Sequence, residues 1–323
     1  MASTPLERHV GTGSVSQPPT AAEQGAHRVF SLLSMLGAAG IVVLVAAIVF
    51  EITRQALPAM VDQGVGFLFR DVWNSRTNEF GILPEIWGTL YSSLLALLIG
   101  GFFGVTVAIF LTQDFLPARL AMVFRTIVEM LAAIPSVVYG LWGIFVVIPA
   151  IRPVANWLHD TLGWFPLFGT SLNGPGLLPA ALVLAIMILP TVAAISQDAL
   201  HQIPYKVKEA AYGMGTTRWE AILKVLLPTA SGGIFSALVL GFGRALGETM
   251  ALAMLIGNAN QISISLFAPA NTLASLMASN FPEADRIERN ALMYAGLTLL
   301  AVTLAVNIIG SWLRARSHRE DQS

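Results

Sequence analysis

The chain has 323 residues, of which 55% are hydrophobic and only 11% charged, with a mean hydropathy of +0.70, so a soluble domain is excluded and a membrane-embedded chain is expected. A formal net charge of −1 leaves no concentrated basic face for a nucleic acid. Cysteine is absent, and the five histidines (His9, His27, His159, His201 and His318) have no ligand spacing, so neither thiol chemistry nor a metal site is expected.

Residues 1–28 are rich in Ser, Thr, Pro, Gln and Gly and lack an apolar run, which predicts a disordered tail and no signal peptide. Residues 29–84 are expected to hold a first membrane span at 31–52 and then an external loop. A span needs about 20 apolar residues. The loop is acidic and aromatic, with Asp62, Asp71, Glu79 and, at its end, Glu85 beside Phe67, Phe69, Trp73 and Phe80, which suggests an interfacial or re-entrant piece. A transmembrane core then occupies residues 85–313. Its first span, 85–111, carries Gly100 and Gly104 at the spacing that lets another helix approach closely. After a short loop at 112–120, the third span covers 121–149. Arg125 and Glu129 are i,i+4 partners near its start and are expected to pair on a solvated face. Pro135 interrupts that helix and frees a carbonyl that needs a new partner. Ser136 and Tyr139 follow it, either lining a cavity or packing as helix hydroxyls. A loop at 150–176 contains Arg152, Trp157, Asp160 and Trp164 and ends in a Gly/Pro/Asn turn. The fourth span is 177–199, with Pro190 inside it. The fifth is 229–257, a polar stretch fills 258–290, and the sixth span is 291–313. A short tail, 314–323, carries Arg314, Arg316 and Arg319.

Six spans put both termini on one side, and charge selects which. Arg8, Arg28, Arg119, Arg125, Lys206, Lys208, Arg218, Lys224, Arg314, Arg316 and Arg319 share the side of the termini. Arg54, Arg70, Arg76, Arg152, Arg286 and Arg289 face the other, and Arg244 lies in the membrane, which accounts for all 18 basic residues. The positive-inside rule therefore makes both termini cytoplasmic.

Arg244 is the costly residue. An arginine near the centre of a membrane helix is disfavoured by about 2.5–3.5 kcal/mol on insertion scales. It stands 15 residues from Thr229, about 22 Å along a helix, which places it near mid-bilayer. Glu248, at i+4, is positioned to share its face. The pair is either a purely structural ion pair or a substrate-path site. In the second reading Arg244 offers a planar fork of donors to a tetrahedral oxyanion, and Glu248 orients it and compensates its charge.

Upstream lies a polar connector, residues 204–228, between two apolar runs. Its Glu209-Ala210-Ala211, then Gly215, then Val225-x-Leu227-Pro228 resembles the cytoplasmic EAA loop of the permease subunits of bacterial ABC importers. In that family the loop forms a short coupling helix that docks on the ATPase, with the glycine allowing the sharp turn after it, as a residue tolerant of positive φ can. The resemblance implies an ATPase-coupling role for Glu209, Ala210, Ala211, Gly215 and Pro228.

Further blocks narrow the resemblance. Residues 79–84 (EFGILP) with Gly88-Thr89-Leu90, residues 134–140 (IPSVVYG), residues 243–251 (GRALGETMA) and residues 256–258 (IGN) are similar to the phosphate-specific importer permeases, closer to the PstC-type subunit than to its PstA-type partner. That resemblance implies an all-α, polytopic bundle of six transmembrane helices with a MetI-like ABC importer permease core, in the bacterial inner membrane. It also implies a second, PstA-type permease, a dimer of ATPase subunits and an extracytoplasmic phosphate-binding protein as partners. The chain has no phosphate-loop motif, so it is expected to bind no cofactor itself, ATP-Mg belonging to the ATPase. No catalytic residue is expected. Sulfate, molybdate or phosphonate as cargo, or the PstA-type role, remain open. An intramembrane enzyme using Glu129 or Glu248 lacks a facing second group, and a passive channel would need no ATPase dock.

Overall fold

The computed structural model describes residues 21–113 and 115–320. Packing divides the chain into two units, one ending at Glu51 and the other beginning at Ile52. The first helix, α1 (Ala21–Gln63), starts in one and ends in the other. Residues 21–28, expected to be disordered, are helical. The rest of the proposed tail lies outside the described residues. The helix also runs past residue 52, because nothing between Glu51 and Gln63 except Pro58 opposes helix formation. In the first unit, side chains 27–48 are all exposed.

The second unit continues with a turn of 3-10 helix (Gly64–Leu68) and a two-stranded antiparallel ribbon, β1 (Trp73–Asn74) with β2 (Glu79–Phe80). Next come α2 (Leu83–Thr112), α3 (Ala118–Ala133), α4 (Ser136–Trp142), a π turn at Gly143–Val147, and α5 (Ile148–Leu162). The long α6 (Leu177–His201) is followed by α7 (Tyr205–Gly213) and α8 (Arg218–Ala221). A second π turn (Ile222–Leu226) joins α8 to α9 (Leu227–Leu246). The chain closes with α10 (Met250–Leu255), α11 (Leu273–Asn280) and α12 (Arg286–Glu320). Among the described residues six helices are long and apolar enough to cross a membrane: His27–Leu68, Leu83–Thr112, Ser136–Leu162, Leu177–His201, Arg218–Leu246 and Arg286–Leu313.

Several boundaries differ from the sequence expectation. The break at Pro135 divides the third apolar run into α3 and α4, and helix then continues through half of the expected 150–176 loop, so the third membrane-length helix is Ser136–Leu162 and not 121–149. The fifth run is likewise divided at Gly247–Thr249. Helix persists through the expected 314–323 tail as far as Glu320.

The centre of the bundle is α6, against which α2, α9, α3 and α10 all pack. Between helices in lipid the hydrophobic effect supplies little, so close approach and dispersion have to hold them together. The glycine pair foreseen in α2 does this. A Cβ on Gly100 would lie 2.5 Å from the Ala185 carbonyl oxygen, and one on Gly104 would lie 2.9 Å from the Val192 Cβ. Along α6, Val183 meets Gly143 of the π turn after α4, and the Pro190–His201 half faces α3. Ile109, Leu200, Ile203, Ile222 and Leu226 form an apolar cluster at the end of the bundle that carries the connector.

At the opposite end, Phe67 stacks on Tyr294 with ring centroids 4.4 Å apart, and Trp73 donates to Glu288 at 2.9 Å. Glu85, grouped with the loop acids above, is fully buried in the first turn of α2, where the positive end of the helix dipole favours a carboxylate. Thr89 accepts from the Leu273 amide at 3.0 Å and so ties α2 to the start of α11.

Gly104→Leu is expected to force α2 from α6 at a cost of about 1–3 kcal/mol, seen as a lower thermal unfolding temperature of the chain in detergent. Gly37→Leu, where a side chain would meet nothing within 4 Å, is expected to leave that temperature unchanged.

Candidate functional site

The fifth apolar run is not one helix, and that decides the surroundings of Arg244. α9 ends at Leu246, Gly247 caps it, and Glu248 and Thr249 precede α10. The i,i+4 rule presumes continuous helix, so it does not apply across this break. The Glu248 carboxylate instead accepts the Ala251 amide at 3.3 Å and supplies one of the acceptors the start of α10 requires. Among the described residues no ion pair joins Glu248 to Arg244, which corrects the expected pairing.

Arg244 Nη1 donates to the Thr191 hydroxyl of α6 at 3.3 Å. Thr191 is about 21 Å from Leu177 and about 15 Å from His201 along the α6 axis. Arg244 is thus at the end of its own helix yet level with the middle of α6. A guanidinium has five N–H donors. Here one is engaged, and the side chain is exposed in the isolated chain.

Pro135 separates the two remaining path candidates. In an unbroken helix the Leu131 carbonyl would accept the N–H of residue 135, which proline lacks. The Tyr139 hydroxyl donates to that carbonyl at 2.8 Å, and Tyr139 is 5% exposed. Its hydroxyl is therefore a backbone patch and not a cavity lining, although the residue lies within electrostatic range of Arg244. Ser136, in the first turn of α4, is half-buried and its hydroxyl makes no hydrogen bond among the described residues.

A cleft of about 480 Å³ lies between α3 and the connector half of α6. Thr191 forms its inner end, and Arg125 and Glu129 of α3 face Gln197, Asp198 and His201 of α6 across it. Arg125 and Glu129, expected to pair, form no ion pair among the described residues. Arg125 therefore presents a free guanidinium to the cleft.

The expected connector, 204–228, is separate from the spans only as far as Thr217, because from Arg218 it is already part of the helical run that continues to Leu246. α7 carries Glu209 and Ala210 exposed and Ala211 buried. Gly215 has φ +82° with open space beside it, so its backbone conformation and not crowding demands glycine. Thr216 closes the turn onto the Ala211 carbonyl at 2.8 Å. Thr217 and Glu220 form a reciprocal capping box at the start of α8. The Trp219 ring lies 5.1 Å from Phe115, and the Arg218 guanidinium sits 5.1 Å above the same ring, tying the connector to the segment before α3. Pro228 is exposed and follows the π turn inside the continuous helical run Arg218–Leu246, where its missing N–H removes a donor from the helix ladder. Tyr205 and Met214 are also exposed, and with Glu209 they leave the outward side of α7 open to a partner.

Sequence reasoning missed Thr191 and the Gln197, Asp198 and His201 row. The available signal was a hydroxyl placed next to Pro190 and polar residues at i, i+1 and i+4 closing an otherwise apolar span.

A polytopic bundle with an exposed connector and a guanidinium level with the middle of one of its long helices belongs to the class of transport permeases. Residues 100–320 match the family model described as binding-protein-dependent transport system inner membrane component. Two solved transporters share the fold. One is a bacterial alginate ABC transporter in complex with an alginate pentasaccharide-bound periplasmic protein, with TM-score 0.62 and 18% identity over 91% of this chain and 96% of that one. The other is the MetNI methionine ABC transporter in an inward facing conformation, with TM-score 0.54 and 20% identity over 73% and 95%. Among sequences, the phosphate transport system permease protein PstC of Xylella fastidiosa is 39% identical over 83% of each chain, and that of Pasteurella multocida is 40% identical over 86% of this chain and 88% of its own. A probable PstC from Methanocaldococcus jannaschii is 36% identical over 81% and 85%. The chain belongs to this PstC family of phosphate transport permeases.

Tyr139→Phe is expected to strand the Leu131 carbonyl and lower stability by about 1–3 kcal/mol, measured by thermal unfolding in detergent. Ser136→Ala, which removes no bond, is expected to leave it unchanged.

Proposed function

We propose that the chain is the PstC-type permease subunit of an ATP-driven importer of inorganic phosphate, lining half of the translocation path. The observation that carries this reading is a guanidinium at the middle of α6 with one donor engaged, on the same continuous segment as an exposed coupling connector. A tetrahedral oxyanion fits such a group because the planar fork makes two parallel charge-assisted bonds. The names of the PstC relatives support phosphate among the oxyanions.

The remaining parts follow from this reading. Both termini and the connector are cytoplasmic, as the distribution of Lys and Arg supports. Glu209, Ala210, Ala211, Gly215 and Pro228 shape or present the dock for an ATPase dimer, which binds ATP-Mg. This chain performs no catalysis and binds no cofactor. A PstA-type permease supplies the other half of the path, and an extracytoplasmic phosphate-binding protein delivers cargo to the opposite end. ATP binding draws the connectors together, and the bundle alternates its opening around Arg244. The role of Glu248 is to order the start of α10 below Arg244 and so to fix the helix end that presents the guanidinium. Ser136, with a free hydroxyl, is a further candidate for the path.

Radiolabelled phosphate uptake by cells dependent on this subunit tests the reading. Arg244→Gln is expected to lower uptake at least tenfold, the loss of a charge-assisted bond of about 1.5–3 kcal/mol, while excess sulfate or molybdate fails to compete in the wild type. Full competition by either anion moves the cargo assignment, and normal uptake by Arg244→Gln removes Arg244 from the path. Gly215→Ala, strained by about 1–2 kcal/mol at positive φ, is expected to reduce uptake with the chain still in the membrane fraction, an effect a passive channel would not show.

A further inference from the structure

Arg244 is not the only guanidinium with donors left unengaged. The cleft between α3 and α6 begins at Thr191, the residue that accepts from Arg244, and extends toward the connector end past Arg125. One side chain therefore belongs to both Arg244 and the cleft. The volume of about 480 Å³ exceeds what a single hydrated phosphate needs.

The unusual feature is that Arg125 is unpaired in the company of acids. Glu129 lies at i+4 on its own helix, Asp198 faces it from α6, and both line the same cleft, yet none of the three forms an ion pair among the described residues. All three side chains are exposed, where an ion pair is worth about 0–1 kcal/mol, so local charge balance does not hold the guanidinium in place and its donors stay available. α3 contributes no buried side chain, so packing does not explain the placement of Arg125 either.

We infer that Arg125 forms a second oxyanion contact on the exit side of the path, taking phosphate from Arg244 on its way to the connector end. This rests on the phosphate-importer reading above. Glu129 and Asp198 set the strength of the contact. They place negative charge within the same cleft, so that an anion held by Arg125 is also repelled and leaves quickly. A release site has to hold cargo weakly. An arginine bracketed by carboxylates does so, whereas an arginine alone would retain a dianion.

The chain contains no cysteine, so a single thiol in the cleft reports on the site without background from this subunit. Ala194→Cys places one on the exposed lining. In the complete, nucleotide-free complex in detergent, the rate of labelling by a charged methanethiosulfonate would be measured against inorganic phosphate, with the other subunits' thiols scored in the cysteine-free parent. Phosphate is expected to slow the labelling. Arg125→Gln in the same background is expected to raise the half-protecting concentration about tenfold, the equivalent of one weakened charge-assisted bond. Arg125→Lys is expected to retain most of the protection, and Glu129→Gln to lower the half-protecting concentration. The opposite signs of the Arg125 and Glu129 effects distinguish a binding role from a structural one. Absence of protection in the Ala194→Cys variant, or equal protection with and without Arg125, overturns the inference and leaves the phosphate reading standing. Arg125-dependent protection by sulfate in place of phosphate upholds the site and overturns the cargo.

Discussion

Backbone groups inside an apolar bundle have no water to fall back on, so every interruption of a helix must be answered by a side chain. Two interruptions fall at the heart of this structure, and each has its answer. Pro135 removes the donor for the Leu131 carbonyl, and the Tyr139 hydroxyl replaces it. The end of α9 at Leu246 leaves the first amides of α10 in need of acceptors, and the Glu248 carboxylate takes one of them. Because Glu248 is committed to backbone, it is not committed to Arg244. The freedom of that guanidinium is a consequence of how the helix break is repaired.

The same break sets the depth at which the cation sits. Had residues 229–257 formed one helix, Arg244 would have been a mid-helix residue with its partner one turn away. Ending the helix at Leu246 turns it into a terminal residue, and the thickness of the bundle at that level comes from α6. The contact with Thr191 keeps the guanidinium over the polar step beside Pro190, from which the cleft descends toward the connector. The Thr191 hydroxyl gives the arginine one polar partner at this level.

The connector is joined to that cleft by ring contacts. Trp219, at the start of α8, lies beside Phe115, and Arg218 covers the same ring, just before the chain turns into α3. These contacts join α8 to the segment that leads into the helix carrying Arg125 and Glu129. The capping box at Thr217 and Glu220 and the left-handed Gly215 make the connector a stiff hairpin, suited to passing on a push.

Much of this architecture could be read from the residues alone. Runs of apolar residues longer than about 20 can only be membrane spans, glycines four apart permit close helix contact, and a glycine after an EAA segment signals a positive φ. Each of these is a local property, fixed by composition or by neighbours along the chain, and Gly100, Gly104 and Gly215 behave accordingly. The pairing of Arg244 with Glu248, and of Arg125 with Glu129, had the same local logic, but side-chain pairing also depends on whether the helix is continuous and on which competing partners the fold supplies. Thr191 is 53 residues from Arg244, and Asp198 and His201 come to face α3 only when α6 packs beside it. Sequence therefore determined the number of membrane-length runs, the polar connector between two of them and the presence of a costly cation, but not where the third and fifth helices begin and end. Tertiary structure alone decided where that cation points, because helix breaks and contacts between distant segments redistribute the hydrogen bonds that local spacing assigns.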